Sequence, residues 1–242
     1  MKRRSGWPAV TAAQMRDVDR AMIECFYIEL VQMMENAGRS LAELAVDAFG
    51  PRRVVVLAGP GGNGGGGLVA ARHLVNRGRA VHAVLSAPQA RLGPVPAHQL
   101  DILRRMGVSI STAPAPSGLD ALGEPDLIID ELIGYGLAGD PTEPAAELIR
   151  WADAHPAPVL SLDTPSGLDV TTGRAARPRV HAAATLTLAL PKTGLLGARE
   201  VGRLYLADIL VPPLLYREMG IEVGDLFGRS SVVPVDVGDD AR

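Results

Sequence analysis

The stretch "VVVLAGPGGNGGGGLVAARHL", residues 54–74, joins an apolar run to a helical one through a turn almost bare of side chains. Six of the eight residues from Pro60 to Gly67 are glycine, and Asn63 is the only polar side chain between Gly59 and Gly67. A β-branched run, a glycine turn and then small and apolar residues at helical spacing read as strand, turn and helix. "GPGGNG" (59–64) also fits G-x-G-x-x-G, a turn in which bare backbone approaches a phosphate and the helix N-terminus adds free N–H groups and a favourable dipole. Two activities that use such turns are disfavoured. A dehydrogenase places an acid after its second strand to hold the ribose, but "AVHAVL" (80–85) runs into "SAPQAR" with no acid. A Walker A loop needs Lys followed by Ser or Thr after its last glycine, and Leu68-Val69 stands there. A connection without any ligand needs fewer glycines than these.

Around this turn, short β-rich runs alternate with helical segments. Strands are expected at 53–58, 80–85, 108–110, 126–130, 158–163, 184–190 and 203–208, with helices near 66–77, 97–106 and 143–154. Runs apolar on both faces and separated by helices predict an α/β fold, a Rossmann-like three-layer sandwich around a mostly parallel sheet. Residues 1–50 are a helical preface: Thr11 and Gln14 have the capping-box spacing before Met15, Val18 and Met22, and a second helix stops at Gly50-Pro51. Asp140, Pro141 and Glu143 look like the start of the 143–154 helix. No internal repeat or long linker divides residues 1–242, so a single domain is expected, with 229–242 as a loosely held tail.

In a parallel sheet all strand carboxyl ends share one edge, where ligands bind. Asp130 ends "LIID" and Asp163 ends "VLSLD", so both are expected beside the glycine turn; the alternative is that each merely caps a turn. A carboxyl in such a crevice can serve as general acid or base once burial raises its pKa. Lys192, in "LPKTG", could meet an anionic group or simply lie in solvent. Tyr135, in "GYGLAG", could line the pocket or sit on the surface.

The totals exclude other classes. Apolar residues make up 47% of 242, aromatic residues 4%, and the net charge is −3, which suits a folded enzyme or binding protein and not a nucleic-acid partner that needs a basic face or stacking rings. Cys25 is the only cysteine and the five histidines are scattered, so neither a disulfide nor a soft-ligand metal site is expected. "MKRRSGWPAV" lacks a signal-peptide core and no window reaches membrane-span length; a cytoplasmic protein is expected.

The segments "MENAG" (34–38), "GPGGNGGGGLVAARHL" (59–74), "IIDELIGYGLAG" (128–139), "LDTPSGLDVTTG" (162–173) and "LPKTGLL" (190–196) resemble, in order, the YjeF N-terminal domain family, the NAD(P)H-hydrate epimerases. The resemblance implies interconversion of the two epimers of hydrated NADH or NADPH. It implies a potassium ion on Asn63, Asp130 and Ser166, with Asp163 as the acid beside the substrate. The substrate is then held by Gly61, Gly62, Asn63, Gly64, Gly65 and Gly66, by Gly134, Tyr135, Gly136 and Leu137, and by Lys192. A homodimer is a further implication. The family loop reads G-x-G-N-N-G-G-D-G, so Gly62 stands in place of its first asparagine and Gly66 in place of its aspartate. An enlarged, less polar pocket is expected from these two changes, with Tyr135 adding an apolar wall. Three functions stay open: the epimerase; the same scaffold turned to another small molecule as an isomerase or cyclase; and a non-catalytic nucleotide- or partner-binding module.

Overall fold

The computed structural model describes residues 7–113 and 124–236; the basic cluster at the start and the last six residues of the expected tail lie outside them. The strands are β1 (Arg53–Ala58), β2 (Ala80–Leu85), β3 (Ser109–Thr112), β4 (Leu127–Glu131), β5 (Val159–Leu162), β6 (Ala184–Leu188), β7 (Arg203–Ala207) and β8 (Val232–Pro234). They form one eight-stranded sheet in the order β3-β2-β1-β4-β5-β6-β7-β8, parallel throughout except for the antiparallel pair β7–β8. From β1 the chain winds outward through β2 and β3, then returns to the other flank of β1 as β4. Above the carboxyl ends of β1 and β4 the covering connections diverge, which opens the crevice where ligands bind in doubly wound sheets.

The helices are α1 (Ala12–Glu24), α2 (Leu30–Phe49), α3 (Gly62–Asn76), α4 (Pro94–Arg105), α5 (Ala145–Ala154) and α6 (Pro213–Glu218). On one sheet face Val54, Val56, Leu127, Ile129 and Leu160 pack against Leu41 of α2, Leu68 and Leu74 of α3, and Leu100 and Leu103 of α4. On the other, Val55, Leu57, Ile128 and Val159 pack against Leu148, Ile149 and Ala152 of α5. These are the three expected layers. A separate cluster joins Met15, Val18 and Met22 of α1 to Ile209 and to Leu215 and Tyr216 of α6. The Thr11/Gln14 capping box is formed, and Gly50 ends α2 in a left-handed conformation.

The differences from expectation have local causes. α3 starts at Gly62, four residues early, because packing overrides the poor helix propensity of glycine. A Cβ on Gly64 would lie 2.0 Å from the Gly59 carbonyl oxygen. β4 extends one residue past Asp130 because the Glu131 carbonyl accepts the Gly59 N–H. β5 stops before Asp163 and β6 before Ala189, since both residues have φ of 64°. Asp140 does not cap α5: it accepts from the Arg177 N–H at 3.1 Å, and Glu143 accepts from the Glu147 N–H at 2.9 Å instead. Within the expected tail, residues 232–234 pair with β7 and Val235 is buried.

Candidate active site

A cleft of about 500 Å³ opens at the topological switch. The N-terminus of α3 contributes Gly61, Gly62, Asn63 and Gly66. The connection after β4 contributes Leu132 through Gly136, and the end of β5 contributes Leu162 and Asp163. The roof comes from the helical preface, as Asp19 of α1 and Leu30, Met33, Met34 and Ala37 of α2. Gly61 caps α3 without a side-chain hydrogen bond, so the first N–H groups of the helix face the cleft with the positive end of its dipole. The Gly134 backbone packs on Asn63, where a Cβ would come within 3.2 Å of the amide carbon.

Asp163 is 3% exposed and its backbone is left-handed. For a non-glycine residue that conformation is strained, and such strain is retained where a side chain must be aimed. Lys192, fully buried, pairs with Asp163 Oδ1, and its Nζ also donates to Thr187 Oγ1 at 3.2 Å and to the Leu188 carbonyl at 2.9 Å. Its sequence neighbours are strapped to the N-terminal segment, with the Val10 N–H donating to the Pro191 carbonyl and the Thr193 N–H to the Val10 carbonyl. Among the described residues no protein donor reaches Asp163 Oδ2, which leaves that oxygen for a ligand. Lys192 therefore stands behind Asp163 and does not line the cleft, in contrast to a substrate contact.

Asp130 is fully buried and also does not line the cleft. It accepts from Ser166 Oγ at 2.6 Å, the Ser166 N–H at 2.8 Å and Ser161 Oγ at 2.9 Å. Burial raises its pKa against the opposing pull of these bonds. Ser166 Oγ in turn accepts from the Ile133 N–H at 2.9 Å, which ties this cluster to the connection lining the cleft. The three segments named from the sequence thus converge, with Asn63 and Asp163 on the cleft wall and Asp130 and Ser166 beneath it. Gly64 and Gly65 lie under the wall, and Leu137 opens onto a different depression with Asp140, Asp169 and Arg174.

Two acids were not singled out by the sequence reading. Asp19 lines the cleft and accepts a hydrogen bond from the Tyr135 hydroxyl. Its signal was present, since it falls four residues after Met15 and three before Met22, inside the buried stripe of α1. Tyr135 accordingly brings a hydroxyl as well as an apolar ring. Glu131 is fully buried, neither carboxylate oxygen is bonded among the described residues, and burial, then the neighbouring Asp130 charge, push its pKa well up. Its carboxyl lies under Gly66 and Gly67: a Cβ on Gly67 would be 2.4 Å from the carboxyl carbon, and one on Gly66 would be 3.4 Å from Oε2 and 2.7 Å from Leu162 Cδ2. The expected enlargement therefore holds only at Gly62, whose missing Cβ would meet nothing nearer than Met34 Cε at 3.9 Å. At Gly66 the space is already filled.

Known proteins resemble this chain over most of its length. An NAD(P)H-hydrate epimerase from Dehalogenimonas lykanthroporepellens is 44% identical over 88% of this chain and 86% of its own length. Another from Rhodopirellula baltica is 33% identical over 88% of this chain and 89% of its own. A bifunctional NAD(P)H-hydrate repair enzyme from Salinibacter ruber is 37% identical over 86% of this chain, which matches 42% of that enzyme's length. The crystal structure of yeast ynu0 superposes with a TM-score of 0.84 over 94% of this chain and 99% of that one at 24% identity, a likeness of fold. Among the described residues no helix is long and apolar enough to cross a membrane. Residues 30–194 match the family described as YjeF-related protein N-terminus, and with two epimerases above 30% identity across most of its length the chain belongs to that family.

Proposed function

We propose that the chain is an epimerase of hydrated NADH and NADPH, with Asp163 as the acid–base group beside the reacting carbon. The supporting observation is the placement of Asp163: a carboxylate aimed by a strained backbone into the cleft, one oxygen held by a buried ammonium and the other open, next to a helix N-terminus suited to a pyrophosphate. The family relatives named as epimerases support the substrate.

A potassium ion fits the Asn63, Asp130 and Ser166 set. Among the described residues, Asp130 is a buried carboxylate whose partners are hydroxyl and amide groups with no basic side chain, and the Asn63 amide nitrogen is buried without a partner. Turned over, that amide would present its oxygen inward to a cation. Oxygen donors of this kind suit a hard, weakly charged cation. When bound, the ion supplies charge balance for Asp130 and rigidity to the connection carrying Ile133 to Gly136.

The test is conversion of the R epimer of hydrated NADH to S, compared with the spontaneous rate, in wild type and Asp163→Asn. Acceleration by wild type and its loss in the variant are expected. The absence of any wild-type acceleration would leave the second reading, an isomerase for another small molecule. The apolar roof of Leu30, Met33 and Met34 favours that alternative.

A further inference from the structure

The cleft holds two carboxyl groups whose surroundings differ. Asp163 Oδ1 is paired with the Lys192 ammonium, whereas Asp19, on α1, accepts its one hydrogen bond among the described residues from the Tyr135 hydroxyl. We propose that Asp19 is the proton donor of this cleft and Asp163 the acceptor, so that epimerisation runs between two carboxyl groups held by different partners. The inference rests on the epimerase reading and extends it to a residue of the helical preface.

Burial raises the pKa of Asp19, the Tyr135 hydrogen bond and the Lys192 charge oppose the shift, and the Asp163 charge adds to it. Burial that favours the protonated form of Asp19, in the same cleft as a carboxylate held by the Lys192 ammonium, sets an acid and a base at one site. The other titratable groups around Asp19 are Tyr216 of α6, whose own pKa is raised by burial and by the Asp208 and Asp19 charges, and Arg16, whose charge acts on Tyr135. Neither Tyr135 nor Tyr216 titrates near neutrality, since both are shifted upward.

The substrate is a hydrate, so the carbon to be inverted carries a hydroxyl beside a ring nitrogen. Its C–O bond breaks with the electron pair leaving on oxygen as the Asp19 proton transfers to that oxygen, releasing water. The nitrogen lone pair stabilises the ring cation. Water then adds to the opposite face, forming the new C–O bond, and the proton it sheds passes to Asp163. Exchange with solvent removes that proton from Asp163 and returns one to Asp19. In the reverse direction the two groups exchange roles.

The experiment follows R-to-S conversion of hydrated NADH across pH 5–9 for wild type, Asp19→Asn and Tyr135→Phe, with melting temperatures recorded alongside. Asp19→Asn is expected to lower kcat roughly 100- to 10,000-fold with KM within about threefold. In wild type kcat falls on the alkaline side as Asp19 loses its proton. The tyrosine hydroxyl favours ionised Asp19, so Tyr135→Phe is expected to move that limb to higher pH, a response a purely structural residue would not give. An Asp19→Asn kcat within about tenfold of wild type, or a loss carried by KM alone, overturns the proposal. Where Asp19→Asn fails to fold, an unmoved limb in Tyr135→Phe overturns it. A wild type that does not epimerise at all defeats the epimerase reading and this inference together, whereas an inactive Asp163→Asn beside an unaffected Asp19→Asn defeats this inference alone.

Discussion

Gly66→Asp restores the aspartate of the family loop in sequence, yet the structure makes it a disruptive change. The new Cβ would stand 2.7 Å from Leu162 Cδ2, which must shift, and 3.4 Å from Glu131 Oε2, in ordinary contact, so the carboxyl it carries comes beside the Glu131 carboxyl. Overpacking of this kind costs about 1–3 kcal/mol. A second carboxyl forced beside one that already lacks partners adds about 1–3 kcal/mol for unsatisfied polar groups. Replacing glycine in a helix returns a few tenths of a kcal/mol, and a negative charge in the first turns returns about 0.3–1 kcal/mol. The net loss is about 2–4 kcal/mol, or roughly 5–15 °C in melting temperature for a domain of this size. Gly62→Asn, which enters open space, is expected within about 0.5 kcal/mol of wild type. The decisive measurement is a double-mutant cycle by thermal or urea unfolding: Gly66→Asp, Glu131→Ala, and the two combined. Removing the Glu131 carboxyl takes away the unpartnered group the aspartate is set beside, so the pair should be more stable than the sum of the singles by about 1–3 kcal/mol. A Gly66→Asp protein that melts within about 2 °C of wild type, or strictly additive effects, would refute the view that Leu162 fills the space over Gly66 and that the Glu131 carboxyl lies against it.

Other expectations follow from single contacts. Lys192→Met leaves the Asp163 charge buried without its ammonium and should cost roughly 3–5 kcal/mol in urea unfolding; no measurable loss would mean the pair is not formed. Thr11→Ala removes one half of the α1 capping box and should cost about 1 kcal/mol. His82 lies between Ser109 Oγ at 2.7 Å and Ser111 Oγ at 2.9 Å, and its burial lowers its pKa. The unfolded chain then takes up the proton first as pH falls, so this contribution is complete above about pH 6.5 and is lost on acidification through the lower folded value. The fall in stability between pH 7 and 5 should be shallower in His82→Gln, and equal slopes would contradict the assignment.

What could be read from the sequence was whatever depends on period and spacing. Alternating apolar runs and helices gave the three layers, and the rule that parallel strands end on one edge brought Asn63, Asp130 and Asp163 together before any coordinates. What could not be read depends on which side of a wall a residue lies. Asp130 and Glu131 are consecutive on β4, so their side chains leave opposite faces of the sheet. Asp130 meets Ser161 and Ser166, and Glu131 goes under Gly66 and Gly67. A sequence that lists glycines reports missing side chains, not who fills the space, and so the two departures at positions 62 and 66 looked equivalent when only the first opens the cleft. Lys192 was visible as a cation near the site but not as buried, because its depth is set by the strap from Val10. Asp19 was written into the apolar stripe of α1, where an acid has no reason to sit unless the stripe faces something polar. Its partner Tyr135 lies 116 residues on, and only the folded sheet brings the helical preface over the cleft, which makes α1 part of the chemistry and not merely a cover for it.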